Sequence, residues 1–268
     1  MARHLAKNMQ LGLPKLTVSS GAIECLKWLA LIAMTLDHAN KIIFHAQFPW
    51  MYALGRLAMP LFGFVLAYNL AKHATLQNNI YGRVVMRTFL IGMVATPVYK
   101  MAFHYSGVGS LNIMFTLGIA TCVILLIDNS NHSNDANFKL ITRALAIALF
   151  VLGGVFVEGQ WFGMGYILTA WLYCKNSKIW LLLLWVASTA GLCLLNDNDW
   201  ALVAIPIIFT VARTDFNLPR LKLVFYVYYP LHIAILLCIQ RVQIHAVEYS
   251  AATVIGISHA AKGVLFCE

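Results

Sequence analysis

Long apolar stretches follow one another along almost the whole chain, and no other feature limits the possible folds so strongly. Most of them approach the roughly 20 residues that an α-helix needs to cross a bilayer. Charged residues make up only 11% of the 268 residues, whereas a soluble domain carries about 25%. The pattern therefore predicts an all-α fold, a polytopic transmembrane helix bundle of about nine spans. The predicted spans cover residues 22–44, 50–71, 84–103, 111–127, 140–157, 161–173, 179–195, 200–212 and 223–239.

Basic residues are distributed unevenly between the two predicted faces of the membrane. The N-terminal tail and alternate loops carry thirteen Lys and Arg residues, and the opposite loops with the C-terminal tail carry four. Because Lys and Arg concentrate on the cytoplasmic side, we predict a cytoplasmic N-terminus. Residues 1–21 are then a basic cytoplasmic tail, retained because no signal-peptide pattern is present. Residues 22–240 form the transmembrane domain, and 241–268 form a C-terminal tail or a weak further segment near 251–266.

The net charge of +9 does not indicate a nucleic-acid partner. A nucleic-acid binder collects its basic residues on one exposed face, whereas here they are scattered between apolar runs. We therefore expect contact with the lipid bilayer and its anionic headgroups, and no nucleic acid. The six cysteines lie far apart, and no spacing among the histidines resembles a metal site, so no metal is expected.

Four ionisable side chains fall inside predicted spans, where burial is costly and a functional role is the default hypothesis. Asp37 and His38 lie in the first span, Arg56 in the second and His232 in the ninth. At a rise of 1.5 Å per residue, all four lie in one band between the middle and the outer third of the bilayer. We therefore predict that they meet in one site. The alternative is an Asp–Arg pair that only locks two helices, beside packed core histidines.

Asp37 and His38 are neighbours in the sequence, so on a helix their side chains point about 100° apart. They cannot form a direct carboxylate–imidazole pair within one straight helix. Asp37 is expected to pair instead with Lys41 at i+4 or with Arg56 from the next span. His38 is then available as a general base.

The ninth span carries aromatic residues on the same face as its histidine. Tyr228 and Tyr229 precede His232 by four and three residues, which places them on its face as candidate substrate-binding residues. Pro230 lacks an N–H group and is expected to kink this helix. The alternative is an ordinary aromatic belt around a satisfied core histidine.

Three further groups of residues are weaker candidates. Asn112 and Thr116 lie one turn apart and either bind a ligand or hydrogen-bond between helices. Glu158 either lines the outer mouth of a site or is simply solvated. Arg83 and Arg87 either hold the phosphates of a nucleotide-like cofactor or anchor the third span on the cytoplasmic side.

The stretches that hold these residues resemble a known family. Two segments show the resemblance most clearly: LKWLALIAMTLDHANKIIF, with the triplet LDH at 36–38, and GRLAMPLFGFVLAYNLAKHA, with GR at 55–56 and PLF at 60–62. The motifs NIMF at 112–115 and YPLH at 229–232 show it more weakly. On these residues the chain resembles the TraX family, membrane proteins linked to N-terminal acetylation of F-pilin. The positions carried over by the resemblance are Asp37, His38, Arg56, Asn112 and His232.

The resemblance implies an acetyltransferase in the bacterial inner membrane that uses acetyl-CoA to modify the N-terminal amine of a pilin subunit. The nucleotide of acetyl-CoA would dock near Arg83, Arg87 and Lys222 at the cytoplasmic face. His38 or His232 would act as general base, and Arg56 would stabilise the oxyanion. Asp37 would orient Arg56 or a histidine. Direct transfer and a route through an acyl-imidazole both remain open.

Three other readings of the sequence remain open. The protein could transfer an acyl group to a hydroxyl of a sugar or lipid, which is the nearest alternative chemistry. It could instead transport a small molecule or lipid, because transporters also place ionisable groups at mid-membrane. A purely structural role in pilus or secretion assembly is the third reading, although it would not need a buried Asp, Arg and two His.

Overall fold

The computed structural model describes residues 15–72, 76, 78–103, 111–221 and 223–264, with side chains described as far as residue 246. Ten helices are found in these ranges, and they pack as an all-α bundle, as the sequence predicts. The helices are α1 (Ser20–Ile42), α2 (Pro49–Gly55), α3 (Ala58–Leu70), α4 (Ile80–Phe103), α5 (Ile113–His132), α6 (Ala136–Phe156), α7 (Gln160–Lys175), α8 (Ile179–Asn196), α9 (Trp200–Ala212) and α10 (Val224–Val264).

The length and composition of the helices fit a multi-pass membrane protein. Among the described residues, six stretches are long and apolar enough to cross a bilayer: α2 with α3, then α4, α5, α6, α8 and the first part of α10. Their outer faces carry large exposed apolar side chains, such as Leu140, Ile147, Leu194 and Val242. Apolar surface of this extent is stable in lipid and not in water.

Three predicted spans differ from the other six. The helix α1 has 23 residues but carries four charged side chains, Glu24, Lys27, Asp37 and Lys41. With 16 and 13 residues, α7 and α9 reach only about 24 Å and 20 Å along their axes, less than the roughly 30 Å of a bilayer core. A largely buried α7 packs against α3, α5, α6 and α8, so it forms the centre of the bundle.

The second predicted span is confirmed as one stretch long and apolar enough to cross a bilayer, but it consists of two helices. The helix α2 ends at Gly55, and α3 begins at Ala58 after a turn at Arg56 and Leu57. Pro60 explains the break, because it has no N–H to donate and its ring clashes with the carbonyl four residues earlier, that of Arg56. The α-helical pattern resumes where Leu61 N donates to Leu57 O at 3.1 Å.

The Asn- and Ser-rich stretch 129–137 predicts a solvent-exposed loop, and this prediction is wrong for most of its residues, which are helical. The helix α5 continues to His132, and α6 begins at Ala136, with Asp135 accepting a hydrogen bond from Asn137 N. Contacts between helices explain the extension, because the buried Ser130 accepts a hydrogen bond from Arg143 Nε at 3.0 Å. Polar residues here are used in tertiary contacts that the sequence pattern does not reveal.

The last helix is longer than expected. It includes Pro230 and continues past residue 239 to Val264, and the kink expected at Pro230 stays a prediction. The predicted boundary at residue 240 between the membrane domain and the tail is therefore not a helix end. The part of the tail near 251–264 continues this helix, and residues 265–268 lie outside the described part of the chain.

Candidate functional site

The carboxylate of Asp37 forms the centre of a buried ion-pair cluster. Its Oδ2 lies 2.7 Å from Lys41 Nζ, one turn later on α1, and its Oδ1 lies 2.7 Å from Arg56 Nη2. The side chain of Asp37 is 8% exposed, so the two cations compensate a carboxylate that is almost out of contact with solvent. Both partners that the sequence suggested for Asp37 are thus present at once.

The guanidinium of Arg56 is held on several sides at the α2–α3 break. Nη1 donates to Asn196 Oδ1 at 3.1 Å, and Nε donates to Tyr52 O at 3.4 Å. The guanidinium carbon lies 4.3 Å from the centre of the Tyr52 ring. The neighbouring Gly55 lets α2 approach α1 closely, because a Cβ there would overlap the side chain of Asp37. Arg56 is consequently a fixed group with only part of its donor capacity left.

His38 and His232 form a direct hydrogen-bonded pair between α1 and α10. His38 Nδ1 lies 2.8 Å from His232 Nε2, and His232 Nδ1 lies 2.9 Å from the carbonyl oxygen of Tyr228. A carbonyl oxygen only accepts, so His232 Nδ1 carries a proton and donates it. In the neutral ring Nε2 of His232 is then an acceptor, and His38 Nδ1 must be the donor.

The proton positions leave one basic atom at the end of the pair. With Nδ1 of neutral His38 protonated, its Nε2 carries the lone pair. Among the described residues we find no hydrogen-bond partner for this nitrogen, and His38 lines two adjoining cavities. The ring of Phe103 packs edge-on against His38 with centroids 5.2 Å apart, which restricts its orientation. The arrangement thus fixes an uncharged base in the wall that the two cavities share.

Three adjoining cavities run along the bundle past this base. The central cavity, about 170 Å³, is lined by Asp37, His38, Arg56, Glu158 and Tyr229 among others. The basic-end cavity, about 250 Å³, opens where α1 and α10 begin and is lined by apolar side chains with Lys27, Asn69 and Arg87. The far-end cavity, about 280 Å³, is lined by His38, Lys41, Tyr99, Glu158 and Gln160.

Shared lining residues connect these cavities in series. Met34, Ile113 and Tyr229 line both the basic-end and the central cavity. His38 and Glu158 line both the central and the far-end cavity. The base therefore lies where a molecule from the basic end could meet a molecule from the far end.

The turn between α6 and α7 places Glu158 in the wall of the site. A short parallel bridge joins Val157 to Leu111, with Leu111 N donating to Phe156 O and Glu158 N donating to Leu111 O. Thr116 Oγ1 donates to the carbonyl oxygen of Glu158 at 2.7 Å, so Thr116 supports the turn. Glu158 is exposed and lines the central and far-end cavities, and its contact with a substrate stays a prediction.

Asn112 is placed differently from the other predicted site residues. Its side chain caps the N-terminus of α5 by accepting from Met114 N, and its Nδ2 donates to Gly92 O and Thr96 Oγ1 on α4. Its amide is thus used in bonding between helices, the alternative that the sequence also allowed. Because these hydrogen bonds use its amide group, no free polar atom of Asn112 supports its predicted role in cofactor binding.

The remaining predicted residues divide between the cavities and the surface. Tyr228 lies beside the site, with its ring stacked on His232 and its hydroxyl 2.9 Å from Thr35 Oγ1. Tyr229 is 1% exposed. Arg83 and Arg87 lie one turn apart on α4 and are both exposed, and Arg87 also lines the basic-end cavity. Lys222 lies outside the described residues.

Sequence reasoning did not find the residues that hold Arg56. Asn196 ends α8 and Tyr52 lies in α2, and neither position carries a pattern that marks it. Tyr52 contacts Arg56 from one turn earlier on α2, whereas only the tertiary structure brings Asn196 of α8 to the guanidinium. In the part of the chain that is described, no group of three or more metal-ligating side chains occurs.

The fold and the site define a class: a helical membrane protein with a buried, cavity-lined cluster of acid, base and guanidinium. The family model for the TraX protein matches residues 22–240, and this chain belongs to the TraX family. It is 34% identical to Protein TraX of Escherichia coli K12 over 110 residues, an alignment that covers 40% of each chain. No solved structure matches significantly.

A second similarity covers more of the chain at lower identity. The chain is 26% identical over 239 residues to the probable fimbrial assembly protein FimC, serogroup H1, of Dichelobacter nodosus, covering 79% of this chain and 92% of that protein. It is also 30% identical over 107 residues to an uncharacterised protein of Rickettsia prowazekii, covering 40% of this chain and 38% of that protein.

Proposed function

We propose that this protein is a membrane-embedded acetyltransferase that moves an acetyl group from acetyl-CoA to the N-terminal amine of a pilin subunit. The observation that carries the proposal is the His38–His232 pair, which presents the unprotonated Nε2 of His38 to two adjoining cavities. A neutral imidazole with a fixed tautomer is suited to removing a proton from an attacking amine. Membership of the TraX family supports the choice of reaction.

The cavities suggest which substrate approaches from which end. Arg87 gives the basic-end cavity a cationic side chain that suits the phosphates of a nucleotide-containing donor such as acetyl-CoA, whereas Lys27 is ion-paired with Glu24. The apolar interior of this cavity leads to the central cavity, where the thioester would lie near His38. The distribution of Lys and Arg supports a cytoplasmic basic end in the bacterial inner membrane. The pilin amine would then enter through the far-end cavity.

The reaction consists of two proton-coupled steps. The neutral amine nitrogen attacks the thioester carbonyl carbon while His38 Nε2 takes a proton from the amine. The tetrahedral intermediate then collapses, the C–S bond breaks, and His38 returns the proton to the leaving thiolate. His232 Nε2, which accepts from His38 Nδ1, stabilises the imidazolium between the steps.

The names of the similar proteins are the reason why a pilin or fimbrial subunit is the acceptor in this proposal. The Dichelobacter nodosus relative is described as a probable fimbrial assembly protein, and it is similar to this chain over most of its length. An acyltransferase that modifies a sugar or lipid hydroxyl would need the same base and donor cavity. The identity of the acceptor separates the two, and a hydroxyl-bearing acceptor labelled in preference to a peptide amine would favour the second.

One observation favours a transporter as a second candidate. The three cavities share lining residues in series from one end of the bundle to the other, as a substrate path would. Flux of a solute across liposomes that contain the protein, without consumption of acetyl-CoA, would support transport. Consumption of acetyl-CoA that requires His38 would exclude a purely transporting function.

The experiment uses the purified protein in detergent with labelled acetyl-CoA and a peptide that copies a mature pilin N-terminus. We expect label transfer by the wild type and a loss of about 100- to 10,000-fold in His38→Ala, because the base is removed. His232→Ala should lose about 10- to 100-fold, because only the orientation and tautomer of His38 are affected. His45→Ala, an exposed histidine after α1, is the matched control and should retain full activity.

The outcomes separate the steps of the proposal. Full activity of His38→Ala would overturn its role as base. Loss of the thioester without labelling of the peptide would support an enzyme that uses acetyl-CoA but would reject the pilin amine as its acceptor. No consumption of acetyl-CoA by a folded wild-type sample would reject the acetyltransferase.

A further inference from the structure

Glu158 is an acid that faces the same cavities as the base His38. Both side chains line the central and the far-end cavity. The other carboxylate in the described walls of these two cavities is that of Asp37, which is ion-paired with Arg56 and Lys41. The Glu158 side chain is exposed, so a molecule in either cavity can reach its carboxylate.

Tertiary hydrogen bonds fix the main chain of Glu158. Its N–H donates to Leu111 O at 2.8 Å, and its carbonyl oxygen accepts from Thr116 Oγ1 at 2.7 Å. Gly159 follows with φ 78°, a left-handed conformation that glycine adopts without strain. The acid is therefore held at one place in the cavity wall, as a group that positions a substrate has to be.

The carboxylate of Glu158 keeps acceptor positions for a ligand. Tyr99 Oη lies 3.4 Å from Oε2, a long contact, and the main-chain N–H of Ile113 is directed at the carboxylate. An ionised carboxylate has about four lone-pair positions, so these two donors do not fill it. His38, which is 7% exposed, likewise has no hydrogen-bond partner for Nε2 among the described residues. An acid and a base with unused capacity thus line the same cavities.

A peptide N-terminus has to lose two protons before its acetylation is complete. The ordinary pKa of such an amine is about 7.7 to 8, so near neutral pH it is mainly an ammonium group without a lone pair. We propose that Glu158 binds the ammonium group of the acceptor and takes the first proton, which leaves the second for His38. The proposal rests on the acetyltransferase function proposed above.

The charge of Glu158 also selects the acceptor in this proposal. An ammonium group offers three N–H donors and a positive charge to a carboxylate, and charge-assisted hydrogen bonds of this kind are strong. A sugar or lipid hydroxyl carries no charge and loses only one proton, so it needs no second proton acceptor. Glu158 therefore favours an amine over a hydroxyl as acceptor.

The protons and electrons balance in three steps. A proton moves from the ammonium group to a Glu158 carboxylate oxygen, which leaves a neutral amine. The amine nitrogen attacks the thioester carbon, the C–N bond forms, and His38 Nε2 takes the second proton. The C–S bond then breaks, His38 protonates the thiolate, and Glu158 releases its proton to water. Each turnover transfers one acetyl group and releases one proton.

Charged and titratable groups from several elements of the bundle face Glu158. They are Asp37, His38 and Lys41 of α1, Arg56 at the α2–α3 break, Tyr99 of α4 and Tyr229 of α10. All of them are also present in Glu158→Gln, which keeps the size of the side chain and removes its charge. A difference between the pH profiles of the two proteins is therefore attributable to Glu158.

The pH dependence of kcat/KM for the peptide tests the proposal. The wild type uses the ammonium form, whereas Glu158→Gln reacts only with the neutral amine, whose fraction rises about tenfold per pH unit below its pKa. We expect kcat/KM of Glu158→Gln to be about 100-fold below that of the wild type at about pH 6, and only about twofold below it at about pH 8. The KM for acetyl-CoA should be the same in both proteins.

Asp197→Asn is the matched control for this profile. Asp197 is an exposed acid directly after α8, and it lines none of the three cavities. Its substitution removes one carboxylate charge and should leave the wild-type profile unchanged.

Binding of two peptides gives a readout that needs neither turnover nor a variant. One peptide copies the mature pilin N-terminus, and the other lacks only its α-amino group. At about pH 7 the wild type should bind the first about tenfold more tightly, because a charge-assisted hydrogen bond is added. Glu158→Gln should bind the two peptides equally.

Two results would overturn this function of Glu158. One is a ratio of wild-type to variant kcat/KM that stays constant over the same pH range, and the other is a wild type that binds the two peptides equally. The second result decides the question even where Glu158→Gln does not fold. Failure of the acetyltransferase itself is distinct, because the folded wild type would then consume no acetyl-CoA at any pH.

Discussion

At the scale of single residues, the chemistry of the site depends on which polar atoms have no hydrogen-bond or ion-pair partner. The polar side chains of the site fall into two groups. Asp37 is ion-paired with Arg56 and Lys41, whereas His38 Nε2 has no hydrogen-bond partner among the described residues. The ion-paired group holds α1 against the α2–α3 break, and His38 lines the central and far-end cavities. Stability and proposed catalysis are thus divided between neighbouring side chains.

Asp37→Asn should test the structural half of this division. The substitution leaves Arg56 and Lys41 near each other without the carboxylate, and removing one partner of a buried pair costs about 3 kcal/mol. The loss should be at the low end because the Lys41 side chain is 34% exposed. The measurement is the free energy of unfolding in detergent.

The double variant Asp37→Asn/Arg56→Gln is the control for this prediction. It removes the unpaired buried cation together with the carboxylate, so it should lose less stability than the sum of the two single changes. Strict additivity would mean that Asp37 and Arg56 do not depend on each other.

At the scale of elements, the site depends on how closely helices approach. The α2–α3 break turns Arg56 toward Asp37, and Gly55 removes the Cβ that would prevent the approach. Tyr166 Oη donates to Pro60 O at 2.8 Å, which joins the start of α3 to the central helix α7. A continuous second helix would present a different set of side chains to α1.

Gly55→Ala should therefore damage both stability and activity. The added Cβ would overlap Asp37, and overpacking of this kind costs about 1 to 3 kcal/mol. We expect a lower Tm and about a tenfold lower rate of acetyl transfer, because a small displacement of a catalytic group has a large effect. Gly165→Ala on α7 is the control, because its added Cβ meets nothing within 4 Å.

Gly165→Ala should be neutral or slightly stabilising, since alanine restricts the unfolded chain. If Gly55→Ala behaved in the same way, the close approach of α2 to α1 would not position the site.

A second buried carboxylate shows that burial alone does not mark a site. Asp128 on α5 accepts from Tyr81 Oη at 2.9 Å and pairs with Lys175, so it joins α4, α5 and α7. Both of its oxygens are engaged. Asp128 is best understood as a structural connection, in contrast to the open base at His38.

At the scale of the whole molecule, the cavities divide the bundle into a basic end and a far end with the base between them. This order suits a reaction in which donor and acceptor come from opposite sides of a membrane. The apolar outer faces of α6, α8 and α10 hold the path in a fixed position relative to the bilayer. The two ends of the path should therefore respond differently to substitution.

Arg87→Ala should weaken binding of the acetyl donor and leave binding of the acceptor peptide unchanged. Arg87 lines the basic-end cavity, and loss of a charge-assisted hydrogen bond to phosphate should raise the KM for acetyl-CoA about tenfold. The kcat and the KM for the peptide should change little. Arg83→Ala is the matched control, because Arg83 is equally exposed one turn earlier on α4 but does not line this cavity. Equal effects of the two variants would indicate a general surface charge instead of a donor site.

The sequence by itself determined the class of fold and the short set of polar residues worth examining. Apolar runs predict helices in a membrane because unpaired backbone groups cannot stay in lipid, and that argument needs no tertiary contact. Charges inside those runs are conspicuous for the same reason, so Asp37, His38, Arg56 and His232 could be found.

Only the tertiary structure decided what each of these residues does. The ion pair of Asp37 with Arg56, the bond from Arg56 to Asn196 and the bond between His38 and His232 arise from contacts between separate helices. The tautomers of the two histidines follow from one carbonyl, that of Tyr228, which a sequence does not place in space. The hydrophobic pattern is a local property of the chain. Which polar atoms are hydrogen-bonded, and how closely two helices approach, depend on the packing geometry of the whole bundle. The proposed chemistry depends on this packing geometry.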